Sequence, residues 1–218
     1  MRLSIDRRSI VAVAVTLSAV VLLSASGALA ALLPPGGTVV PGATPSPAGA
    51  TQLATTGAIN FTSLVDPSAY TGTLNTTVYN NDPNNPFGLT RLTFTYLLTN
   101  NANSRDTLER FVANNFTLRQ VDVGINGAGR APATADRQVT GDAVGFDWTN
   151  VPGIVPGTSS TLLVIHTDAT QFVPTTDNII NTFPALVASL GPAPVPEPAA
   201  IGVAALGMLT LVRRTRGK

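Results

Sequence analysis

Between Arg91 and Thr99 the chain reads RLTFTYLLT, where Leu92, Phe94, Tyr96 and Leu98 alternate with Arg91, Thr93, Thr95 and Thr99. A period of two puts the apolar side chains on one face of an extended strand and the hydroxyls on the other. Comparable runs occupy Ile59–Val65, Gly72–Tyr79, Leu108–Ala113, Phe116–Val123, Val139–Trp148, Ser160–Thr167 and Ile179–Leu190, with Leu89–Thr99 the clearest. Asn80-Asn81-Asp82-Pro83-Asn84-Asn85-Pro86 and Asn100-Asn101-Ala102-Asn103-Ser104 separate such runs with turn-forming residues. Short strands at this spacing predict an all-β fold, a single antiparallel β-sandwich or jelly-roll-like domain over residues 56–190. A helix over Asp106–Asn114, with Leu108, Phe111 and Val112 at i, i+3 and i+4, is the local alternative.

Composition narrows the chemistry. The 218 residues contain no Cys and one His, His166, which excludes a thiol nucleophile, a disulfide framework and a multi-histidine metal site. Charged residues are 11% of the chain, against about 25% in an average domain. The net charge of +1 hides three unlike segments. Arg2, Arg7 and Arg8 outweigh Asp6 at the start, and Arg213, Arg214, Arg216 and Lys218 outweigh Glu197 at the end. The body between carries six Arg against ten Asp and Glu, so it is mildly acidic and unsuited to nucleic acid.

Both ends read as address signals. Arg2, Arg7 and Arg8 precede an apolar run, Ile10–Leu23, and Ala28-Leu29-Ala30 offers a small-x-small site to signal peptidase. A signal peptide over 1–30 is expected, cleaved after Ala30. Its 14-residue apolar run is short against the ~20 residues of a spanning helix. The Arg7-Arg8 pair leaves open whether export follows the general or the twin-arginine route. At the other end, Pro196-Glu197-Pro198 leads into an apolar stretch, 199–212, and then Arg213, Arg214 and Arg216. Prolines hold the triplet extended at the start of a predicted transmembrane helix, and the arginines form a topological stop on the cytoplasmic side.

Val195-Pro196-Glu197-Pro198, the small-residue-rich helix with Ala199, Ala200, Gly202, Ala204, Ala205 and Gly207, and Arg213-Arg214-x-Arg216 come in that order. This tail, residues 194–218, resembles the PEP-CTERM sorting signal of Gram-negative bacteria. The resemblance implies recognition by exosortase, a membrane-embedded processing enzyme, and release or attachment at the cell surface, a setting associated with exopolysaccharide. LTFTYLLTNN, Glu109-Arg110 and Val121-Asp122-Val123-Gly124 are similar to the β-rich ectodomains of that group. A plain single-span anchor is the alternative for the tail.

Residues 31–55 are read as a linker. Pro34–Ala50 holds five Pro, four Gly and no charge, the composition of an extended spacer.

No constellation within the domain fills two catalytic roles. His166 lies in a strand-like run without a G-x-S-x-G elbow and reads as an ordinary strand histidine, with a catalytic one as the sharper alternative. Asp82 among Asn80, Asn81, Asn84 and Asn85 could offer oxygens to Ca²⁺, but reads better as a polar turn. Asp142 and Asp147, flanking Phe146, have the composition of a glycosidase pair and equally that of a strand and its turn. Gly124-Ile125-Asn126-Gly127-Ala128-Gly129 lacks dinucleotide-loop spacing and reads as a hairpin loop. Trp148, Tyr70, Tyr79 and Tyr96 are candidate sugar platforms, with Trp148 a core anchor first. Thr71/Thr73 and Thr93/Thr95 are short T-x-T pairs without a repeat to extend them. Asn60-Phe61-Thr62, Asn75-Thr76-Thr77 and Asn115-Phe116-Thr117 match the N-glycosylation pattern.

The expectation is a non-enzymatic surface or matrix protein without catalytic residues, metal or cofactor. Signal peptidase, exosortase and the membrane are its processing partners. An exopolysaccharide-binding module is the alternative.

Overall fold

The computed structural model describes residues 31–195. The expected signal peptide with Ala28 and Ala30, the triplet Pro196, Glu197 and Pro198, the helix over 199–212, and Arg213, Arg214 and Arg216 lie outside the described residues. Among the described residues no helix is long and apolar enough to cross a membrane.

Thirteen strands build two sheets: β1 Ala31–Leu32, β2 Thr38–Val39, β3 Gly42–Ala43, β4 Thr51–Thr62, β5 Thr71–Asn80, β6 Thr93–Asn100, β7 Arg110–Ala113, β8 Val121–Asn126, β9 Thr134–Arg137, β10 Val144–Asp147, β11 Leu162–Thr167, β12 Phe172–Ile180 and β13 Pro184–Pro192. One sheet has the order β1-β8-β11-β6-β5-β4, with β3 beside β8; the other runs β13-β12-β7-β10-β9-β2. All pairings are antiparallel except the two-residue β3–β8 contact.

The predicted alternation decides which faces meet. Phe94, Tyr96 and Leu98 of β6 share a face with Leu163 and Ile165 of β11 and with Leu74 and Val78 of β5, through the registers of those pairs. Phe111, Phe146, Ala135 and Ile179 form the matching row on the other sheet. The two rows face each other: Tyr96 stands 5.1 Å from Phe111 and Phe94 6.1 Å edge-on to Phe116, between ring centroids. Among the described residues the hydrophobic core draws on both sheets and on Leu33 of the N-terminal segment.

Several boundaries differ from the sequence expectation. Ile179–Leu190 is not one strand: the chain turns at Asn181-Thr182-Phe183, and β12 pairs along β13. Pro184 follows that turn, where its missing N–H is harmless at a strand start. Val139 is 85% exposed in a tight turn, where Gly141 takes φ 76°, so only Val144–Asp147 of the expected strand pairs. The helix alternative over Asp106–Asn114 gives way to β7, because Phe111 and Ala113 both face the core and Arg110 and Val112 point away. Gly124–Gly129 is no hairpin. It ends β8 and carries the chain across to β9 in the other sheet, where Gly129 takes φ 138° and an added Cβ would lie 2.3 Å from the Ser160 carbonyl oxygen.

The largest correction concerns the expected linker. Residues 31–55 hold β1, β2, β3 and the start of β4, and Leu33 is fully buried in the core. The segment pairs with β8 at Gly42–Ala43 and next pairs with β5 from Thr51, at the opposite edge of the sheet. Thr44 is buried; it packs where a Cβ on Gly124 would stand, on the face of β8 turned away from the core. Thr44–Ala50 therefore crosses the outside of the larger sheet as a strap, with Pro47 buried beneath and the Ser46 carbonyl accepting from Asn84 Nδ2. Extended Pro-rich chain needs no core of its own when a sheet supplies one side.

Candidate functional site: a buried Asp–His–Asp cluster

The outer face of the larger sheet is closed a second time, by the loop between β5 and β6. Register places Thr93, His166 and Asp122 side by side on that face, on β6, β11 and β8. The loop folds over them and inserts Asp82. His166 and Thr93 are fully buried, Asp82 and Asp122 nearly so.

The contacts form one connected set. His166 Nδ1 lies 3.0 Å from Asp122 Oδ2, and His166 Nε2 lies 3.4 Å from Asp82 Oδ2. The first is a hydrogen bond; the second is an ionic approach off the hydrogen-bond line, since Nε2 has no aligned acceptor. Thr93 Oγ1 donates to Asp82 Oδ2 at 2.8 Å, and the Asn84 amide to Asp82 Oδ1 at 3.0 Å. Asn85 Nδ2 donates to the Leu92 and Thr167 carbonyls.

Electrostatics follow from this geometry. Burial alone would strip the proton from His166, but Asp122 and Asp82 outweigh it and hold the imidazole pKa above its ordinary value. Burial would likewise raise Asp82, and the opposing donors His166, the Asn84 amide and Thr93 bring it below its ordinary value. When protonated, the imidazole is a buried counter-charge between two carboxylates from different elements. It is fully buried among the described residues. Its chemistry is that of a clasp joining the loop, β8 and β11. Asp82, read from the sequence as part of a polar turn with Ca²⁺ as the lesser alternative, faces His166, and no group of three or more metal-binding side chains is arranged around a common point among the described residues.

Two further polar sites lie on the second sheet. Arg110 reaches over Gly145 to grip Asp136 at 2.6 and 2.7 Å and Asp147 at 3.1 Å. An added Cβ on Gly145 would lie 2.2 Å from the guanidinium. This placement turns Asp147 into an ion-pair partner; Asp142 sits in the β9–β10 turn, taking a hydrogen bond from Thr140. Asp177 is fully buried between the sheets, its Oδ1 accepting from the Asn114 amide at 3.0 Å. Burial, only partly offset by Ser189 and that amide, pushes its pKa up to about 7. Ser189 in turn meets Thr76 of the facing sheet at 2.8 Å.

The candidate sugar platforms are mostly inside. Trp148 is buried, with its indole N–H donating to the Arg130 carbonyl, and Tyr70 and Tyr96 are buried with their hydroxyls donating to carbonyls of β12, β13 and the turn between them. Tyr79 is half-buried. Thr93 and Thr95 are buried too, whereas Thr71 and Thr73 remain partly open.

Val195 is the last described residue and closes the path of the chain out of the fold. Pro194 and Val195 line an open cleft of about 240 Å³ with Asn115, Thr117 and Leu118. Arg119 donates to the Ala193 carbonyl at 2.5 Å, and the buried Arg137 holds the same turn through the Phe116 and Arg119 carbonyls. The clasp residues Asp82 and Asp122 could not be picked out by motif, since each partner of His166 lies on a different element; only the pairing of β8 with β11 brings Asp122 near. No protein-family profile, curated protein or solved structure matches this chain.

Proposed function

We propose that the chain is an exported surface or matrix protein whose β-sandwich, jelly-roll-like ectodomain is delivered by its C-terminal PEP-CTERM-like tail. In this reading signal peptidase removes residues 1–30, the 199–212 helix holds the chain in the inner membrane, and exosortase processes the Pro196-Glu197-Pro198 region. Arg213, Arg214 and Arg216 stop the tail on the cytoplasmic side.

The observation that supports this reading best is that, among the described residues, the last strand finishes at Pro192 and Pro194 and Val195 lie at an open cleft, two residues that directly precede the triplet in sequence. A cysteine-free domain suits a display role outside the cell, and the closed Asp–His–Asp cluster favours a mechanical over a catalytic part. Burial of Trp148, Tyr70 and Tyr96 leaves the exopolysaccharide-binding alternative with half-buried Tyr79 among its candidate aromatic platforms.

Replacing Pro196, Glu197 and Pro198 together by alanine tests the reading. Unprocessed protein should accumulate in the membrane fraction; undiminished surface delivery would refute it.

A further inference from the structure

We infer that the end of the sandwich from which the chain leaves at Val195 is a lipid-facing surface, and that its partner is the bilayer entered by the chain's own tail. The inference rests on the reading that 199–212 spans the membrane, and adds to it the face that the domain turns toward that membrane.

Covalent reach sets the distance. Three residues separate Val195 from the apolar stretch that begins at Ala199. The four Cα steps between them cover at most about 14 Å. A headgroup layer about 5–8 Å deep takes up roughly half of that reach. Whatever surrounds Val195 therefore stands against the headgroups once the tail is inserted.

Three turns make up those surroundings: 34–37, 116–119 and 138–141, each closed by a backbone hydrogen bond from its last residue to its first. Pro194 and Val195 share their cleft with Thr117 and Leu118. The buried Arg137 guanidinium fastens the turns to one another, donating to the carbonyls of Leu33, Phe116, Arg119 and Gly141. The Phe116 amide adds a bond to the Asp142 carbonyl. This rigid frame holds apolar side chains outward. Val139, at 85%, has the highest exposure of the large apolar side chains among the described residues, and Leu118 is 67% exposed. Neither belongs to the core. Leu118 also sits at φ 59°, in the left-handed region that a bulky side chain seldom enters. A leucine held outward in an unfavourable backbone conformation gains nothing from the fold, but gains burial from an apolar layer outside it.

Charge selects lipid as that layer. The domain body is acidic, yet the three turns, PPGG, FTLR and QVTG, hold no carboxylate and one cation, Arg119. The nearest carboxylates are engaged within the domain: Asp142 accepts from Thr140, and Asp168 from the Gln120 amide. Phosphate headgroups accept hydrogen bonds and attract such a face, and they repel the acidic remainder. Exposed Leu64 and Val65, at the opposite end, lack this setting, because Asp66 follows them and shares Arg105 with Asp106.

Site-specific fluorescence tests the proposal. The chain has no cysteine, so one substitution places one probe. Full-length chain from a host without exosortase is reconstituted into vesicles of phosphatidylethanolamine and phosphatidylglycerol that contain a nitroxide-headgroup lipid, with a fluorophore on Val139→Cys, Leu118→Cys or Leu64→Cys. The Leu64 amide bonds the Pro184 carbonyl, so this third site lies the length of β13, roughly 25–30 Å, from the exit. Quenching at 139 and 118 should exceed that at 64 by at least about threefold. Equal quenching at the three positions, or none at 139 and 118, in a chain that resists carbonate extraction would overturn the lipid-facing surface and leave the spanning tail standing. Extraction of the chain by carbonate would remove the spanning tail, and the proposal with it.

Discussion

His166 Nδ1 and Asp122 Oδ2 stand 3.0 Å apart on adjacent strands, both closed from solvent. The second imidazole nitrogen faces Asp82, which arrives from a loop 40 residues before Asp122 in the chain. One histidine thus ties a long connection to two strands of the larger sheet. A buried ion pair brings desolvation costs that rival its attraction, but losing one partner leaves a stranded charge and costs far more.

His166→Leu should therefore destabilise the domain by about 3–5 kcal/mol, since Asp82 and Asp122 would face each other without a counter-charge. Urea unfolding of residues 31–195 measures it. A loss below about 1 kcal/mol would mean that the cluster does not act as a clasp.

Stability should fall as pH rises from 3.8 through neutrality. The raised pKa of His166 contributes stability that is complete below its unfolded value of 6.5 and is lost as pH climbs through the higher folded value. Asp177 acts in the same direction: its folded pKa of about 7 against 3.8 means a contribution lost progressively between those values. Asp82 works oppositely, its lowered pKa giving stability that disappears only as pH drops below 3.8. Thermal melts across this range should show a maximum on the acid side of neutrality. Asp177→Asn should flatten the decline above pH 5 while keeping the Asn114 amide satisfied.

Leu33→Ala probes the N-terminal segment. A true spacer would tolerate the change, whereas a fully buried side chain cut to a methyl costs about 2–5 kcal/mol. Removing residues 31–50 should go further and expose the outer face of the larger sheet, giving a domain that aggregates or fails to melt cooperatively. Calorimetry of both variants distinguishes the cases.

Gly129→Ala should be poorly tolerated, by about 1–3 kcal/mol. The residue has φ 138°, and the added Cβ would press against the Ser160 carbonyl. Gly127→Ala, at φ 74° with open space around it, should cost less, and denaturant midpoints of the pair check the ordering.

Local patterning carried much of this fold. The alternation from Leu92 to Leu98 named the core face of β6 correctly, because a strand with one buried face must repeat every two residues. The same pattern misled about the opposite face: Thr93 and Thr95 read as solvent-facing hydroxyls, yet both are buried. Their covering comes from the 81–92 loop and the strap, and Thr93 finds its partner in Asp82. Composition alone cannot reveal such a cover. A Pro- and Gly-rich stretch is equally suited to a free spacer and to an extended chain lying on a sheet, so the role of Pro34–Ala50 was settled by tertiary pairing. The turn at Asn181–Phe183 was missed for a local reason: it contains no glycine or proline of its own, and only Pro184 marks it. Asp122 was legible as a strand residue but not as the partner of His166, because strand order is a long-range property.

The central claim, that a finished ectodomain is delivered by removable signals at both ends, is tested most directly by the intact mass of the protein recovered from the cell surface or medium. A mass that begins at Ala31 and lacks Ala199–Lys218 is predicted. A chain that still carries its C-terminal helix and Arg213, Arg214 and Arg216 would contradict it.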